Sequence, residues 1–292
     1  MDNQKMELRK LRDFSENLND TFQFIRQEFK PLLGSFLAIC GVFIILSGIV
    51  GGIYQQGNIG NVLNAFKGIG NKRQGFSEVF NMYYFLVLFF GVFNYVLMHV
   101  VLAAYFKVYE AKGKVSPTIE EVWNMTLKYI VSQFLFSIVY FLIIIISILP
   151  CGIPFFYFGV VFAPFTMIYV MEDCSFGTGF NRCFALIKDN YWMSLAIYIV
   201  AIIIYYFGTL IIGVFTGIIA LVINYFSVKD IAATVGIITS IVSVFSHLFY
   251  IIFFVTVALN YFNLAEQLDG DGLMQRIDSI GSNETGAVQE EY

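Results

Sequence analysis

Charged residues are scarce in this chain of 292 residues, at 13%, whereas 58% of the residues are hydrophobic. Soluble domains are about 45–50% apolar and about 25% charged, so a water-soluble fold of this length could not bury so much apolar surface. The net charge of −4 offers no basic surface and excludes nucleic acid as an expected partner. The composition indicates an integral membrane protein whose natural partners are membrane lipids.

Histidine and cysteine are also scarce, with two and four residues respectively. His99 and His247 are too few for a three-histidine metal centre, and the four cysteines contain no CxxC pair. The apolar runs contain no buried Asp, Glu, Lys or Arg and no intramembrane protease motif, which argues against an enzyme and against an ion-coupled transporter. We therefore expect no metal, no cofactor and no catalytic residue.

A cleavable signal peptide is also lacking, because six acids and six bases are spread through the first 30 residues without an apolar core. A spanning helix needs about 20 mostly apolar residues. Six such runs follow, at 32–54, 82–106, 129–149, 155–171, 193–224 and 238–264. The fourth contains Pro164. The fifth is so long that we expect it to tilt, protrude or bend, and a bend would lie near Gly208, Gly213 or Gly217.

The distribution of Lys and Arg predicts the orientation. With six spans, thirteen bases fall on the face that holds both termini and four on the other face. Since positive charge favours the cytoplasmic side, both termini are expected in the cytoplasm, in a bacterial inner membrane. The predicted domains are an N-terminal segment (1–31), a six-span membrane domain (32–264) and an acidic tail (265–292), with an outer loop at 55–80.

An amphipathic helix is predicted just before the first span. Apolar residues recur there at three- and four-residue steps: Leu11, Phe14, Leu18, Phe22, Ile25 and Phe29. Such a helix lies in the membrane interface with its aromatic side toward the acyl chains. We call a helix of this kind an elbow. A second elbow, containing Trp123 and capped by Ser116, is predicted before the third span.

The stretch "MEDCSFGTGFNRCFALIKDNYW", residues 171–192, offers acids, cysteines, glycines and bases that could be mistaken for an active site. Its Gly-Thr-Gly lacks the lysine and further glycines of a phosphate loop, and its cysteine spacing fits no metal motif. Phe180, Phe184 and Ile187 instead repeat the spacing of the first elbow, and Trp192 marks the interface where the fifth span begins. The sequence thus predicts an all-α membrane protein of three helical hairpins, each preceded by an elbow.

"FSENLNDTFQFIRQEFKPLL" and "VMEDCSFGTGFNRCFALIKDNYWMSLAIYIV" also resemble segments of a group of bacterial multi-pass proteins. These are the membrane domain found on some glycerophosphodiester phosphodiesterases and its stand-alone relatives. The resemblance extends to about residue 265, and only 28 residues follow Leu264, too few for the soluble phosphodiesterase barrel. It therefore implies a polytopic membrane module and carries over no catalytic residue.

Uncharged polar residues within the spans are the remaining candidates for a site, because they are costly in hydrocarbon unless they face protein or water. Similar depths predict a cluster on spans two and three: Asn94, His99, Gln133 and Ser137. A second polar face lies on span six: Ser240, Ser243 and His247. Hydrogen bonding between helices is one interpretation of these residues, and a transport pathway is the other.

Two functions remain open. The first is a non-enzymatic scaffold, complex subunit or organiser of the lipid interface, which would bind protein partners in a membrane complex. The second is a carrier or flippase-like pathway for a lipid or other amphiphile, lined by the first polar cluster.

Overall fold

The computed structural model describes residues 5–66, 80–148, 153–223, 225, 230–270 and 274. These residues form an all-α fold in which the described ranges contain no strand. Nine helices lie within them: α1 (Phe14–Gln27), α2 (Phe29–Phe66), α3 (Met82–Ala111), α4 (Ile119–Ile148), α5 (Ile153–Phe162), α6 (Phe165–Met171), α7 (Phe176–Ile187), α8 (Tyr191–Ile223) and α9 (Ile231–Asp269). Six segments are long and apolar enough to cross a membrane: α2, α3, α4, the α5–α6 pair, α8 and α9. The all-α membrane class predicted from the sequence is confirmed.

The three predicted hairpins are present as packed helix pairs. Helix α2 packs against α3, α4 against α5, and α8 against α9. Helix α9 is the centre of the bundle, because it also packs along α2 and contacts α1, α3, α6 and α7. We call the end of the bundle that carries α1, α7 and the turn after α3 the elbow end.

Two of the three elbows are separate helices, α1 and α7. The second is not, since α4 runs without a break from Ile119 to Ile148. Its sequence contains neither Gly nor Pro, so nothing interrupts the helical hydrogen bonds at the predicted bend. The cap also differs from the prediction: Thr118, not Ser116, exchanges hydrogen bonds with Glu121 in a capping box.

Several helices are longer than the predicted spans. Helix α2 continues to Phe66, so the first part of the predicted outer loop is helical, and α9 continues past residue 264 to Asp269. Pro164 divides the fourth span into α5 and α6. Helix α8 runs without a break from Tyr191 to Ile223, and a Cβ atom on Gly208 would lie 2.6 Å from the Phe249 ring. Residues 67–79, 149 and 224, and most of the tail, lie outside the described residues.

Burial is concentrated in the half of the bundle next to the elbow end. Fully buried side chains there come from three central helices: Leu32, Phe36 and Cys40 on α2, Tyr105, Phe106 and Tyr109 on α3, and Phe254, Leu259 and Phe262 on α9. Toward the other end, α2, α8 and α9 leave large apolar side chains uncovered, which suits contact with lipid acyl chains. The packed half is therefore the part of the fold that positions polar groups.

Helices α2 and α9 approach each other most closely through small residues. A Cβ atom on Gly52 would lie 2.0 Å from Ser240 Oγ and 2.5 Å from the Gly236 carbonyl oxygen. A Cβ atom on Gly236 would lie 2.8 Å from the Gly52 carbonyl oxygen, and one on Gly48 would lie 3.0 Å from that of Ser240. Gly48 with Gly52, and Gly236 with Ser240, form two facing pairs of small residues at four-residue spacing, which lets membrane helices pack backbone to backbone.

Candidate functional site: the elbow end and a tyrosine-lined cavity

Helix α1 turns its polar side inward. Asn17, Thr21 and Glu28 are buried together with Phe24 against the bundle. The predicted apolar stripe faces outward and is uncovered at four positions: Leu11, Phe14, Phe22 and Phe29. Ile25, also in the stripe, is half-buried. A helix that is locked by polar contacts and exposes its apolar side is suited to lie in a lipid interface.

Buried hydrogen bonds hold α1 in this orientation. The Arg12 side chain is fully buried, donates to Asp20 at 2.8 Å, and also donates to the carbonyl oxygens of Glu7 at 2.5 Å and Leu8 at 2.7 Å. The Arg12 backbone N–H donates to Asn263 Oδ1 on α9 at 2.8 Å. At the other end of α1, the Tyr105 hydroxyl of α3 donates to Glu28 at 2.7 Å. A buried guanidinium with every bond satisfied fixes one arrangement of the groups around it.

The acidic pair in the 171–192 stretch joins helices to one another. Glu172 accepts hydrogen bonds from Arg182 of α7 at 3.2 Å and from the Tyr261 hydroxyl of α9 at 3.1 Å. Arg182 also pairs with Asp269 at the end of α9. Burial lowers and the two acids raise the pKa of Arg182, with the net shift upward. Glu172 thus joins α6, α7 and α9 through hydrogen bonds.

Asp173 joins the end of α6 to α3 and α4 in the same way. Its carboxylate accepts hydrogen bonds from Lys107 of α3 and from Tyr129 and Lys128 of α4, the last at 2.9 Å. Burial raises the pKa of the Asp173 carboxyl, but these three donors outweigh it and hold that pKa well below its usual range. The backbone of Asp173 has φ = 48°, the left-handed region that Asp and Asn tolerate better than most residues.

We expect Asp173→Asn to lower stability by about 1–2 kcal/mol at neutral pH, because the carboxylate is half exposed and its ion pairs are screened. Because the pKa of Asp173 is lower in the folded than in the unfolded state, its carboxylate stabilises the fold at pH values above the unfolded-state pKa of about 3.9. This stabilisation is lost as the pH falls through the folded-state pKa. The variant should therefore lose less stability on acidification than the wild type. Melting curves in detergent between pH 3 and pH 7 measure both effects.

Asp189→Asn is the matched control for this prediction, since Asp189 is exposed in the turn after α7. Its melting curves should follow those of the wild type. Equal acid sensitivity of Asp173→Asn and the wild type would show that the carboxylate does not contribute in the way that its contacts indicate.

The predicted elbow residues have different surroundings in the structure. Phe14, Phe22, Trp123 and Trp192 are exposed, and Trp192 is 78% exposed at the start of α8. In contrast, Phe180 and Phe184 of α7 pack against the Phe162 ring, with centroids 5.0 and 5.6 Å away. Ile187 is buried. The expectation that the α7 phenylalanines face the bilayer is wrong for Phe180 and Phe184, because α5 packs against their rings, whereas Phe176 is exposed.

The first predicted polar cluster is buried but is not joined by its own hydrogen bonds. Asn94, His99, Gln133 and Ser137 are each at most 5% exposed. Asn94 donates to the Phe43 carbonyl at 3.2 Å, Gln133 to Thr166 Oγ1 at 2.9 Å, and Ser137 to the Phe134 carbonyl at 2.7 Å. Asn94 thus joins α3 to α2, and Gln133 joins α4 to α6. This is hydrogen bonding between helices, one of the two interpretations that the sequence left open.

His99 instead bonds toward α9. Its Nδ1 lies 2.7 Å from the Tyr95 carbonyl oxygen, and its Nε2 lies 2.8 Å from the Tyr250 hydroxyl. A carbonyl oxygen only accepts, so the proton is on Nδ1, and the neutral ring accepts the Tyr250 hydroxyl at Nε2. Similar depths in the membrane also allowed a bond from His99 to Gln133 or Ser137, but the ring bonds to Tyr250 of α9 instead.

Tyr250 also lines a cavity of about 220 Å³ between α3, α8 and α9, together with Gly91, Tyr95, Met98, Tyr205, Ser246 and His247. The cavity is not sealed, since Tyr95 is 39% exposed. His247, from the second predicted polar face, therefore shares a cavity wall with the partner of His99. The other members of that face bond within α9: Ser240 donates to the Gly236 carbonyl, and the Ser243 carbonyl accepts from His247. We call this feature the tyrosine cavity.

Sequence reasoning missed the three tyrosines of the cavity. Tyr95 and Tyr250 lie one helical turn from His99 and His247 respectively, and this spacing was the available signal. Among the described residues no group of three or more His, Cys, Asp or Glu lies close enough to hold a metal ion. The structure thus defines a six-span membrane protein in which hydrogen bonds and ion pairs join the helices at the elbow end and a tyrosine-lined cavity lies near the middle of α3, α8 and α9.

No family model, no curated protein and no solved structure matches the chain.

Proposed function

We propose that this protein is a non-enzymatic membrane protein that organises the lipid interface at its elbow end and binds protein partners there. The observation that carries the proposal is the outward apolar stripe of α1 on a helix that is fixed by its buried polar face. A rigid apolar ridge at headgroup depth displaces acyl chains and offers neighbouring proteins a defined edge. The resemblance seen in the sequence points the same way, since it implies a membrane module without catalytic residues.

The double variant Phe14→Ser and Phe22→Ser tests this proposal better than deletion of α1, because deletion would expose Phe106 and Tyr109 under the buried Phe24. Both phenylalanines are exposed, so the melting temperature should change little. We expect the variant to lose co-purifying proteins in mild detergent. It should also lose the ordering of lipid measured by diphenylhexatriene anisotropy in proteoliposomes.

Trp123→Ser is the control, because Trp123 is an exposed aromatic residue at the same end but on α4. It should keep both properties. A double variant that retains the wild-type partners and lipid order would overturn the proposal.

We further propose that the membrane is a bacterial inner membrane and that both termini lie in the cytoplasm. The thirteen-to-four distribution of Lys and Arg supports this orientation. A reporter that is active only in the cytoplasm, such as green fluorescent protein, should be active when it is fused after Tyr292. An alkaline phosphatase fusion that is active at this position would contradict the proposal.

A carrier for a lipid or amphiphile is the second candidate function, and the tyrosine cavity is the observation that favours it. The four residues predicted to line such a pathway are buried, and three of them bond to neighbouring helices, so the pathway would have to pass through the cavity instead. Reconstituted protein that fails to move a fluorescent lipid between leaflets, in a dithionite quenching assay, would exclude this role.

A further inference from the structure

The tyrosine cavity places hydrogen-bonding groups where membrane helices are otherwise apolar. Its lining residues lie near the middle of α3, α8 and α9, far from the charged elbow end. Polar groups at this depth are costly in lipid unless a partner satisfies them. Here a mostly apolar space of about 220 Å³ has the polar groups of Tyr95, Ser246 and His247 among its lining residues, so a bound molecule can be that partner.

The charge of the lining restricts the occupant. None of the seven described lining residues is Asp, Glu, Lys or Arg. A phosphate or an ammonium group would enter this region without a counter-charge, at a cost of several kcal/mol. The cavity therefore selects an uncharged polar end.

The histidine fixes the hydrogen-bonding pattern. His247 Nδ1 bonds to the Ser243 carbonyl oxygen, which only accepts, so in the neutral ring Nε2 is an acceptor. Within the described residues, neither this Nε2 atom nor the Tyr95 hydroxyl has a protein partner. His247 Nε2 is thus left as an acceptor, and the Tyr95 hydroxyl is left able to donate or to accept. A hydroxyl group complements both, because it donates one hydrogen bond and accepts another.

Size and wall chemistry add two further limits. Pockets for whole drug-sized ligands measure about 300–1,000 Å³, so this cavity holds only the end of a larger molecule. Tyr205 and Tyr250 meet edge to face, with centroids 6.2 Å apart, and form an aromatic wall beside the polar atoms. The remainder of the occupant would extend through the unsealed side near Tyr95 into the bilayer.

We propose that the tyrosine cavity binds the polar end of a neutral lipid alcohol, with its hydroxyl group between His247 Nε2 and the Tyr95 hydroxyl. This goes beyond the proposed function, because it assigns a ligand class to a site remote from α1. It holds whether the bound lipid is moved across the membrane or serves as a fixed component.

A photocrosslinking experiment on the full-length protein in nanodiscs tests this assignment. The probe is a long-chain alcohol with a diazirine near its hydroxyl, and labelled peptides are located by mass spectrometry. We expect labelling on α3, α8 and α9 around the cavity. Unlabelled dioleoylglycerol should compete, whereas dioleoylphosphatidylglycerol and hexadecane should not.

Tyr95→Phe removes the donor and keeps the ring, and we expect the competing concentration of dioleoylglycerol to rise about tenfold. Tyr206→Phe is the control, because Tyr206 is the exposed neighbour of Tyr205 outside the lining, and it should bind as the wild type does. His247→Phe tests the acceptor, and Tyr95→Phe keeps the test valid if that variant does not fold.

Three results would overturn the proposal: no labelling at the cavity, equal competition by hexadecane or the anionic lipid, or unchanged competition in Tyr95→Phe. None of them would affect the α1 measurements, so failure here is distinguishable from failure of the proposed interface function. The reverse also holds, since Phe14 and Phe22 lie outside the cavity lining.

Discussion

Replacement of Gly52 by leucine is expected to separate α2 from α9 and to cause the largest loss of stability among single substitutions in the membrane part. The first side-chain carbon alone would lie 2.0 Å from Ser240 Oγ and 2.5 Å from the Gly236 carbonyl oxygen. A backbone oxygen cannot rotate away as a side chain can, so the helices must move apart. Overpacking of a core costs about 1–3 kcal/mol when side chains can adjust, and we expect at least about 3 kcal/mol here.

The chain contains a matched control in the adjacent residue. A Cβ atom on Gly51 would have no heavy atom within 4 Å, so Gly51→Leu adds the same volume on another side of α2. We expect the Gly52 variant to melt about 6–12 °C below the wild type in detergent and the Gly51 variant to melt near it. Equal melting temperatures for the two variants would show that the close approach of α2 and α9 does not stabilise the fold.

The contrast between Gly51 and Gly52 also shows what sequence reasoning could not provide. Both glycines lie in the same apolar run, and hydrophobicity is the same for a residue that faces lipid and one that faces another helix. The sequence predicted the helical class and the three hairpins, because about 20 apolar residues are required for each span. It named Gly208 as one of three positions for a bend in α8, and at that glycine the structure shows close packing against the Phe249 ring.

The elbows illustrate the same limit. The periodic apolar residues of α1 and α7 predicted amphipathic helices in both places, but the pattern alone does not say what covers the apolar side. On α1 that side is outward, and on α7 the α5–α6 pair covers part of it. The deciding partners, such as Phe162 for Phe180, come from elsewhere in the chain.

The candidate site was predictable in its residue types more than in its contacts. His99 and His247 stood out because polar groups are rare in the spans, but the sequence placed them in two separate polar groups. Tyr250 connects them, since its hydroxyl reaches His99 while its side chain lines the cavity beside His247. Tyrosine is common in this chain, with 18 residues, so its presence within a span carried little signal.

Arg12→Met is expected to release α1 from the bundle while the spanning helices remain folded. The substitution keeps most of the side-chain length but removes every donor to Asp20 and to the carbonyl oxygens of Glu7 and Leu8. These acceptors are buried or partly buried, and Asp20 keeps Lys10 at 3.5 Å, so we expect the lost hydrogen bonds from the charged donor to cost about 3 kcal/mol. The cost falls on α1, because all of these acceptors lie in or next to it.

Hydrogen exchange followed by mass spectrometry measures this release directly. A local loss of about 3 kcal/mol corresponds to roughly hundredfold faster exchange of the α1 amides, with little change in α2 or α9. Arg26→Met is the control, because Arg26 lies on the exposed side of the same helix and should not alter exchange. Slow exchange of α1 in the Arg12 variant would mean that Phe24 and the Glu28–Tyr105 bond suffice to hold the helix. In that case the lipid-facing ridge would not depend on the buried guanidinium.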